Sequence, residues 1–374
     1  MPPPETATWS AIHWQLVAPD NPLRLLRSVL RWRGGYIAFG SITSDGATIT
    51  PVWTSRDGGT WMPVPFNTAN TFWPGLVVVG IAEVPSGLVA LTLLDGSYQC
   101  AVACPIYGST LPLMAWTSPD GRSWTPNTGP DLGLPSTWKG PPVLAAGPAG
   151  LAAASPTWPT RMARSADGIH WRPIPASALP AGIAIRAVVG TTTGFTAVGA
   201  LPVDADHERA VAFQSVDGAT WTGPYPLALA TASTIILVST GPSWGATALV
   251  AARSGFIATG QVTGTPGGTV WWQSSDGRSW RTLASYPPLG PTTCTGEGCG
   301  SQPNGELVGD GERMIALRGG PGAGVWASSD GLAWQTLAAS GDLPPGQASL
   351  AVLLPGGVLL SDGTTTWFGE AQAQ

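Results

Sequence analysis

Short apolar runs alternate with clusters of Gly, Pro, Ser and Asp along the whole chain, and nowhere do apolar positions recur with the 3.6-residue period of an amphipathic helix. One arrangement repeats. A β-rich run such as 76–79 or 184–189 leads into a second apolar segment, which opens at Gly35, Gly87, Gly150, Gly194, Gly255 and Gly357, with Glu312 in the equivalent place of the remaining copy. A third run carries an aromatic two residues before a Ser: Trp53, Trp116, Phe213, Trp272 and Trp326, with Ala163 as the exception. Then comes Ser-x-Asp-Gly-x-x-Trp. Asp-Gly between two β-prone runs is a hairpin signal, because Gly accepts the positive φ of the turn and the Asp and Ser side chains can bond its backbone. The motif Trp is expected to begin the next strand and to face the neighbouring sheet.

Six complete copies of the motif are present. They are Ser55/Asp57/Trp61, Ser118/Asp120/Trp124, Ser165/Asp167/Trp171, Ser215/Asp217/Trp221, Ser274/Asp276/Trp280 and Ser328/Asp330/Trp334. The Asp positions 57, 120, 167, 217, 276 and 330 give spacings of 63, 47, 50, 59 and 54. A worn copy over 8–14 ends in Ile12-His13-Trp14, as the third copy ends in Ile169-His170-Trp171, and reads as an orphan hairpin. Four short antiparallel strands per repeat are the pattern of a β-propeller blade. Seven such second segments meet only six hairpins, so the N-terminal strand is expected to complete the last blade and close the ring, removing exposed sheet edges. The expectation is therefore an all-β, seven-bladed β-propeller of four-stranded antiparallel blades, forming a single domain over 1–374 with a Pro-rich linker at 1–7.

Composition changes this picture little. Gly at 50 and Pro at 37 punctuate strands rather than mark disorder, since 43% of residues are hydrophobic. A net charge of −5 with a single Lys, Lys139, argues against nucleic acid or an anionic membrane as partner. No apolar run is long enough for a membrane-spanning helix.

The repeat resembles the Asp-box, or bacterial neuraminidase repeat, of sialidases and sortilin-type receptors, in a form one residue shorter between Gly and Trp. That resemblance implies a propeller in a secreted bacterial protein, with the turns on the face away from any active site. It does not carry sialidase chemistry across. Arg172-Pro173-Ile174-Pro175 is a scrambled version of the family's Arg-Ile-Pro segment, and the sequence has only five Tyr.

Function is then expected on the opposite face, in the long loops 94–114, 125–142, 201–210 and 281–304. Trp73, Trp138 and Trp244 precede blades, and Trp158 sits between prolines. Each either caps the core or offers a platform on which a sugar face can stack. Tyr98, Tyr107, His207 and Arg209 are further ligand-binding candidates. The acids open to catalysis are Asp95, Asp131, Asp204, Asp206, Glu208 and Glu306, and glycoside hydrolysis would need two of them about 5–9.5 Å apart. The cluster 204–209 is a solvated loop tip, a general acid–base pair or a structural calcium site; no cofactor is otherwise expected. His13 and His170 precede motif Trp residues and read as structural.

Cys100, Cys104, Cys294 and Cys299 form two close pairs. Two local disulfides are favoured over zinc, because the spacings are three and four residues and the pairs fall in separate blades. Disulfides imply a secreted or cell-surface protein whose export signal is absent from this chain. Two functions remain: a monomeric binding module for a glycan, peptide or protein partner, or a carbohydrate-active enzyme (a glycoside hydrolase, sialidase-like or otherwise, or a polysaccharide lyase) using loop carboxylates at the channel mouth.

Overall fold

The computed structural model describes residues 9–17, 26–44, 47–58, 60–65, 72–94, 113–127, 132, 134, 142–155, 160–202, 208–227, 245–252, 255–262, 268–283, 306–309, 312–318, 324–342, 350–354, 356–361 and 365–373. Within them the elements are β-strands, apart from one 3-10 turn at Ala176–Ala178. Strand β1 (Trp9–Leu16) comes first. Sheet one takes β2 (Leu26–Trp32), β3 (Gly35–Gly40), β6 (Val52–Ser55) and β7 (Met62–Pro63), with a ribbon of β4 (Ile42–Ser44) and β5 (Ala47–Ile49) inserted. Sheet two takes β8 (Leu76–Val84), β9 (Gly87–Leu94), β10 (Met114–Ser118) and β11 (Thr125–Pro126). Sheet three takes β12 (Val143–Gly147), β13 (Gly150–Ala154), β14 (Met162–Ser165) and β15 (Trp171–Pro173). Sheet four takes β16 (Ala184–Thr191), β17 (Gly194–Pro202), β18 (Glu208–Ser215) and β19 (Thr222–Pro226). Sheet five takes β20 (Gly245–Ala252), β21 (Gly255–Val262), β22 (Gly268–Ser274) and β23 (Arg281–Thr282). All five are antiparallel, with neighbours in chain order.

The rest of the chain forms one eight-stranded sheet. Its strands are β24 (Glu306–Gly309), β25 (Met314–Arg318), β26 (Gly324–Ser328), β27 (Gln335–Gly341), β28 (Leu350–Leu354), β29 (Gly357–Ser361) and β30 (Thr366–Ala373), together with β1. The spatial order is β24-β25-β26-β27-β1-β30-β29-β28. β1 pairs antiparallel with β30 from Trp9↔Ala373 to Leu16↔Trp367, and parallel with β27 from Ala11↔Ala338 to Trp14↔Gly341. The worn copy over 8–14 is thus no hairpin. It lacks the Asp and Gly that close the other turns, and Trp9 to Leu16 runs straight between two partner strands.

The six Ser-x-Asp-Gly segments are the third-to-fourth strand turns. The turn Gly takes a left-handed φ in every copy, from +70° at Gly121 and Gly218 to +80° at Gly58 and Gly168. At the fifth turn the Ser274 hydroxyl donates to Asp276 Oδ1 at 3.0 Å and accepts from Gly277 N at 2.7 Å. Asp276 Oδ1 also accepts from Arg278 N and Ser279 N, both at 2.8 Å, and Trp280 Nε1 donates to the Gly277 carbonyl at 3.0 Å. Six residues of one turn thus bond one another. The described residues of the first turn repeat the pattern. Asp57 Oδ1 accepts from the Ser55 hydroxyl at 3.0 Å and from Thr60 N at 2.8 Å, and Trp61 Nε1 donates to the Gly58 carbonyl at 2.9 Å. In the fourth, Trp221 Nε1 reaches the Gly218 carbonyl at 3.2 Å.

The motif Trp does not begin the fourth strand as expected, except at Trp171, which opens β15. Trp61, Trp124, Trp221 and Trp334 stand one residue before β7, β11, β19 and β27, and Trp280 makes a lone parallel bridge to Leu227 before β23. Pairing starts just beyond the Trp in Thr54↔Met62 and Gln214↔Thr222, whereas Trp171 itself pairs with Ser165 although Asp167, like Asp217, holds the two amides that follow the turn Gly. The second copy also departs from the pattern. Trp124 Nε1 is buried with no acceptor among the described residues, and its ring packs edge-on against Phe39 at 5.5 Å. The expected direction of these indoles does hold: Trp221 is buried in a cluster shared with sheet three, and the half-buried Trp61 packs on a cluster that includes Leu354 of β28.

The strand-opening glycines answer a different need. A β-carbon at Gly150, Gly194 or Gly255 would strike the carbonyl of Ser165, Ser215 or Ser274, so the second strand passes too close to the third for any side chain there.

The core lies between sheets. Seven buried clusters occur among the described residues, each drawn from two neighbouring sheets or from the two halves of the eight-stranded one. One joins Leu26, Tyr36, Ala38 and Trp53 of sheet one to Leu354 of β28 and Leu359 of β29, at opposite ends of the chain. First strands also meet in order: β2 with β8, β8 with β12, β12 with β16, β16 with β20, β20 with β24, β24 with β28, and β28 with β2.

Candidate functional site

Antiparallel order sends every third-to-fourth strand turn to one end of its sheet. The second-to-third loops and the links between sheets fall at the other end. Of the catalytic and ligand-binding candidates, Trp73, Glu208, Arg209 and Glu306 lie among the described residues. Asp95, Asp131, Asp204, Asp206, Tyr98, Tyr107, Trp138, Trp158, Trp244 and His207 lie outside them, as do Cys100, Cys104, Cys294 and Cys299.

Trp73 sits in the link between sheets one and two. Its neighbour Phe72 is sunk into the core, 5.1 Å from the Trp116 ring and 5.0 Å from Trp124 between centroids. The link is pinned from below: Thr50 Oγ1 donates to the Leu76 carbonyl at 2.6 Å, and Gly75 N donates to the Thr48 carbonyl at 2.6 Å. Trp73 therefore rests edge-on against Trp116, with centroids 5.3 Å apart at 79°, while 39% of its surface stays in solvent. It is both core cap and exposed face, and its position is fixed by what lies under it.

Among the described residues, four first strands carry a bulge in the half nearest this end. The extra residues are Arg27 in β2, Val79 in β8, Arg186 in β16 and Thr247 in β20. A bulge leaves one residue unpaired and re-aims its side chain, and bulges concentrate at barrel rims and beside active sites. Arg27 is exposed and Arg186 half-buried. Glu208 begins β18 in the same sheet as Arg186. Burial pushes its carboxyl above the usual carboxylate range, and the Arg186 guanidinium pulls against that. Its Oε2 is buried and accepts no hydrogen bond among the described residues. That oxygen is sealed from solvent, so a ligand hydroxyl would meet this group only at its other oxygen. Arg209, the next residue along, points to solvent, and Glu306 opens β24.

Arg27 and Arg186 were not among the candidates drawn from the sequence. The available signal was an arginine inside an otherwise apolar run, as in Ala184-Ile185-Arg186-Ala187. Within the described residues no group of three or more His, Cys, Asp or Glu is placed to hold a metal ion, and no helix is long and apolar enough to cross a membrane.

No protein-family model matches the chain, and no curated protein resembles it in sequence. Solved structures do resemble it in fold. The polysaccharide lyase Uly1 superposes with a TM-score of 0.53 at 11% identity, covering 99% of this chain and 93% of the other. A protein of unknown function from Dyadobacter fermentans aligns over 98% and 99% of the two chains, with 13% identity and a TM-score of 0.44. A glycosyl hydrolase from Bacteroides ovatus aligns over 77% and 89%, with 12% identity and a TM-score of 0.33.

Proposed function

We propose that the chain is a secreted or cell-surface β-propeller of seven blades, closed by its N-terminal strand, which binds a glycan on the face opposite its Asp-box-like turns. Support for the ring comes from the circular order of first-strand contacts and from the cluster that joins Leu26 and Trp53 to Leu354. In this reading the eight-stranded sheet is two blades whose outer strands, β27 and β1, pair in parallel.

The single observation that carries the glycan reading is Trp73. It is an indole packed edge-on on Trp116 with 39% of its surface in solvent, at the same end of the sheets as the bulges that carry Arg27 and Arg186. Indole faces complement the apolar faces of sugar rings, and guanidinium and carboxyl groups bond their hydroxyls. The lyase named above shares this fold, which fits a carbohydrate ligand.

Enzymatic turnover is the second reading, and Glu208 is what favours it, since a carboxyl held above its usual range suits a general acid. Glycan-array binding beside a panel of glycosidase and lyase substrates separates the two. Saturable binding to an oligosaccharide without turnover supports the binding module. Turnover lost in Glu208→Gln would replace it with the enzyme, and silence on both arms would refute the carbohydrate reading.

A further inference from the structure

Two junctions at the mouth are built alike. Between sheets one and two, the buried Thr50 stands two residues before β6 and bonds the carbonyl of Leu76, which opens β8. Between sheets three and four, the buried Thr160 stands two residues before β14. Its Oγ1 accepts from Ile185 N of β16 at 2.8 Å, and its amide donates to the Ile183 carbonyl at 3.0 Å. In each case a threonine just ahead of a third strand ties down the first strand of the next sheet. Whatever the chain displays at that junction is held by both sheets.

The displays differ. The first junction shows Trp73. The second shows Arg161, whose side chain is exposed and makes no bond among the described residues. Its backbone is clamped twice by the buried Ser155: Ser155 N donates to the Arg161 carbonyl at 2.8 Å, and Ser155 Oγ accepts from Arg161 N at 2.9 Å. Arg186, the bulged residue of β16, follows Ile185 directly, so Arg161 and Arg186 each stand one residue beyond the Thr160–Ile185 bond. Sheets one to four pack on one another through buried clusters. Packed sheets lie about 10 Å apart, so the indole and the arginines, two sheets from each other, are separated by about 20 Å. Neither a monosaccharide nor a disaccharide reaches across.

Resting on the glycan reading above, we propose that the ligand is a linear chain of several sugar units that crosses the mouth over sheets two and three, with one ring on Trp73 and the hydroxyls of a ring further along on Arg161 and Arg186. An indole takes the apolar face of a ring, and a guanidinium donates to hydroxyl oxygens from a planar fork. A chain already seated at one junction is held close to the other, so two shallow contacts on one rigid frame reinforce each other. A single terminal sugar gains nothing from the second.

The test is calorimetric titration of the full chain with size ladders, from one unit to six, of cellulose, mannan and polygalacturonate fragments and of the series that the glycan array selects. In the ladder that binds, the hexasaccharide should bind at least about tenfold more tightly than the disaccharide. Arg161→Ala should erase that gain and leave the disaccharide's affinity as it was, because the short ligand occupies Trp73 alone. Trp73→Ala should weaken every length. The exposed Arg161 side chain can be removed without lowering the melting temperature, and the comparison of lengths in the parent chain needs no variant. Equal affinity for two and six units in the parent would overturn the bridge and leave the glycan reading standing. A hexasaccharide held as tightly by Arg161→Ala as by the parent would overturn it as well. Silence of every ladder and of the array would refute the glycan reading itself, and the bridge with it.

Discussion

Trp14 on the N-terminal strand lies directly opposite Gly369 on the C-terminal strand, in a ladder that runs seven register pairs along β1 and β30. A side chain at Gly369 would strike Ile12 and Trp14, so the glycine makes room for an indole that is fully buried. This contact carries the ring closure proposed above. Trp14→Ala is expected to cost about 3–5 kcal/mol, and deletion of residues 1–16 should uncover the edges of β27 and β30 and lead to aggregation. Denaturant unfolding and light scattering check both. A truncated chain that stays monomeric with an unchanged melting temperature would rule the closure out.

The turns should be sensitive at their glycines. Gly168→Ala forces an L side chain into φ +80° and against Val89, costing about 1–2 kcal/mol for the backbone conformation, with overpacking in addition. Asp217→Ala removes the acceptor of the Ala219 and Thr220 amides, which are exposed and can turn to water, so about 0.5–1.5 kcal/mol is expected. Thermal melts of the two variants should rank the glycine as the worse loss.

Acid should act through the same turns. Amide bonds from Thr220 and Ala219 hold the Asp217 carboxyl at about 2, and those from Ser279 and Arg278 hold Asp276 at about 2, both below the ordinary Asp value near 3.9. A depressed carboxylate stabilises the fold fully above its unfolded pKa and loses that contribution as pH falls through its folded one. The melting temperature should therefore hold down to about pH 4 and drop between about pH 4 and 2, and Asp217→Asn should make that drop shallower. Identical acid profiles for variant and parent would contradict this origin.

Glu208 has the opposite sign. Its carboxyl binds a proton more readily folded than unfolded, so its ionisation destabilises the fold as pH rises through the folded pKa. Carbon-detected NMR of the Glu side chains should show Glu208 titrating above the ordinary Glu value near 4.3. Arg186→Gln should raise it further, because the guanidinium is what opposes burial there.

What could be read from the chain follows from how local each interaction is. A Ser-x-Asp-Gly-x-x-Trp turn bonds within seven residues, so Ser274, Asp276 and Trp280 announce their geometry in one line of sequence. Where the strand resumes was less legible, since Trp171 pairs with Ser165 while Trp221 stops one residue short, although both turns hold the same two amides. The arithmetic of seven second segments against six hairpins pointed to β1 beside β30, although the stretch over 8–14 looked like a hairpin and Trp9–Leu16 is one strand. The Arg27 and Arg186 bulges exist only in register with β3 and β17, which no single run reveals. The seating of each turn on the preceding sheet was hidden for a related reason, since the Gln214–Asp276 contact spans 62 residues.

The most direct test is calorimetric titration of the oligosaccharide selected on the array against the parent chain, Trp73→Ala and, from the opposite end of the fold, Ser328→Ala. If the glycan sits at the mouth, Trp73→Ala should weaken binding at least tenfold, about 1.4 kcal/mol, while Ser328→Ala binds as the parent does. Undiminished binding in Trp73→Ala together with loss in Ser328→Ala would place the ligand on the turn face and contradict the proposed site.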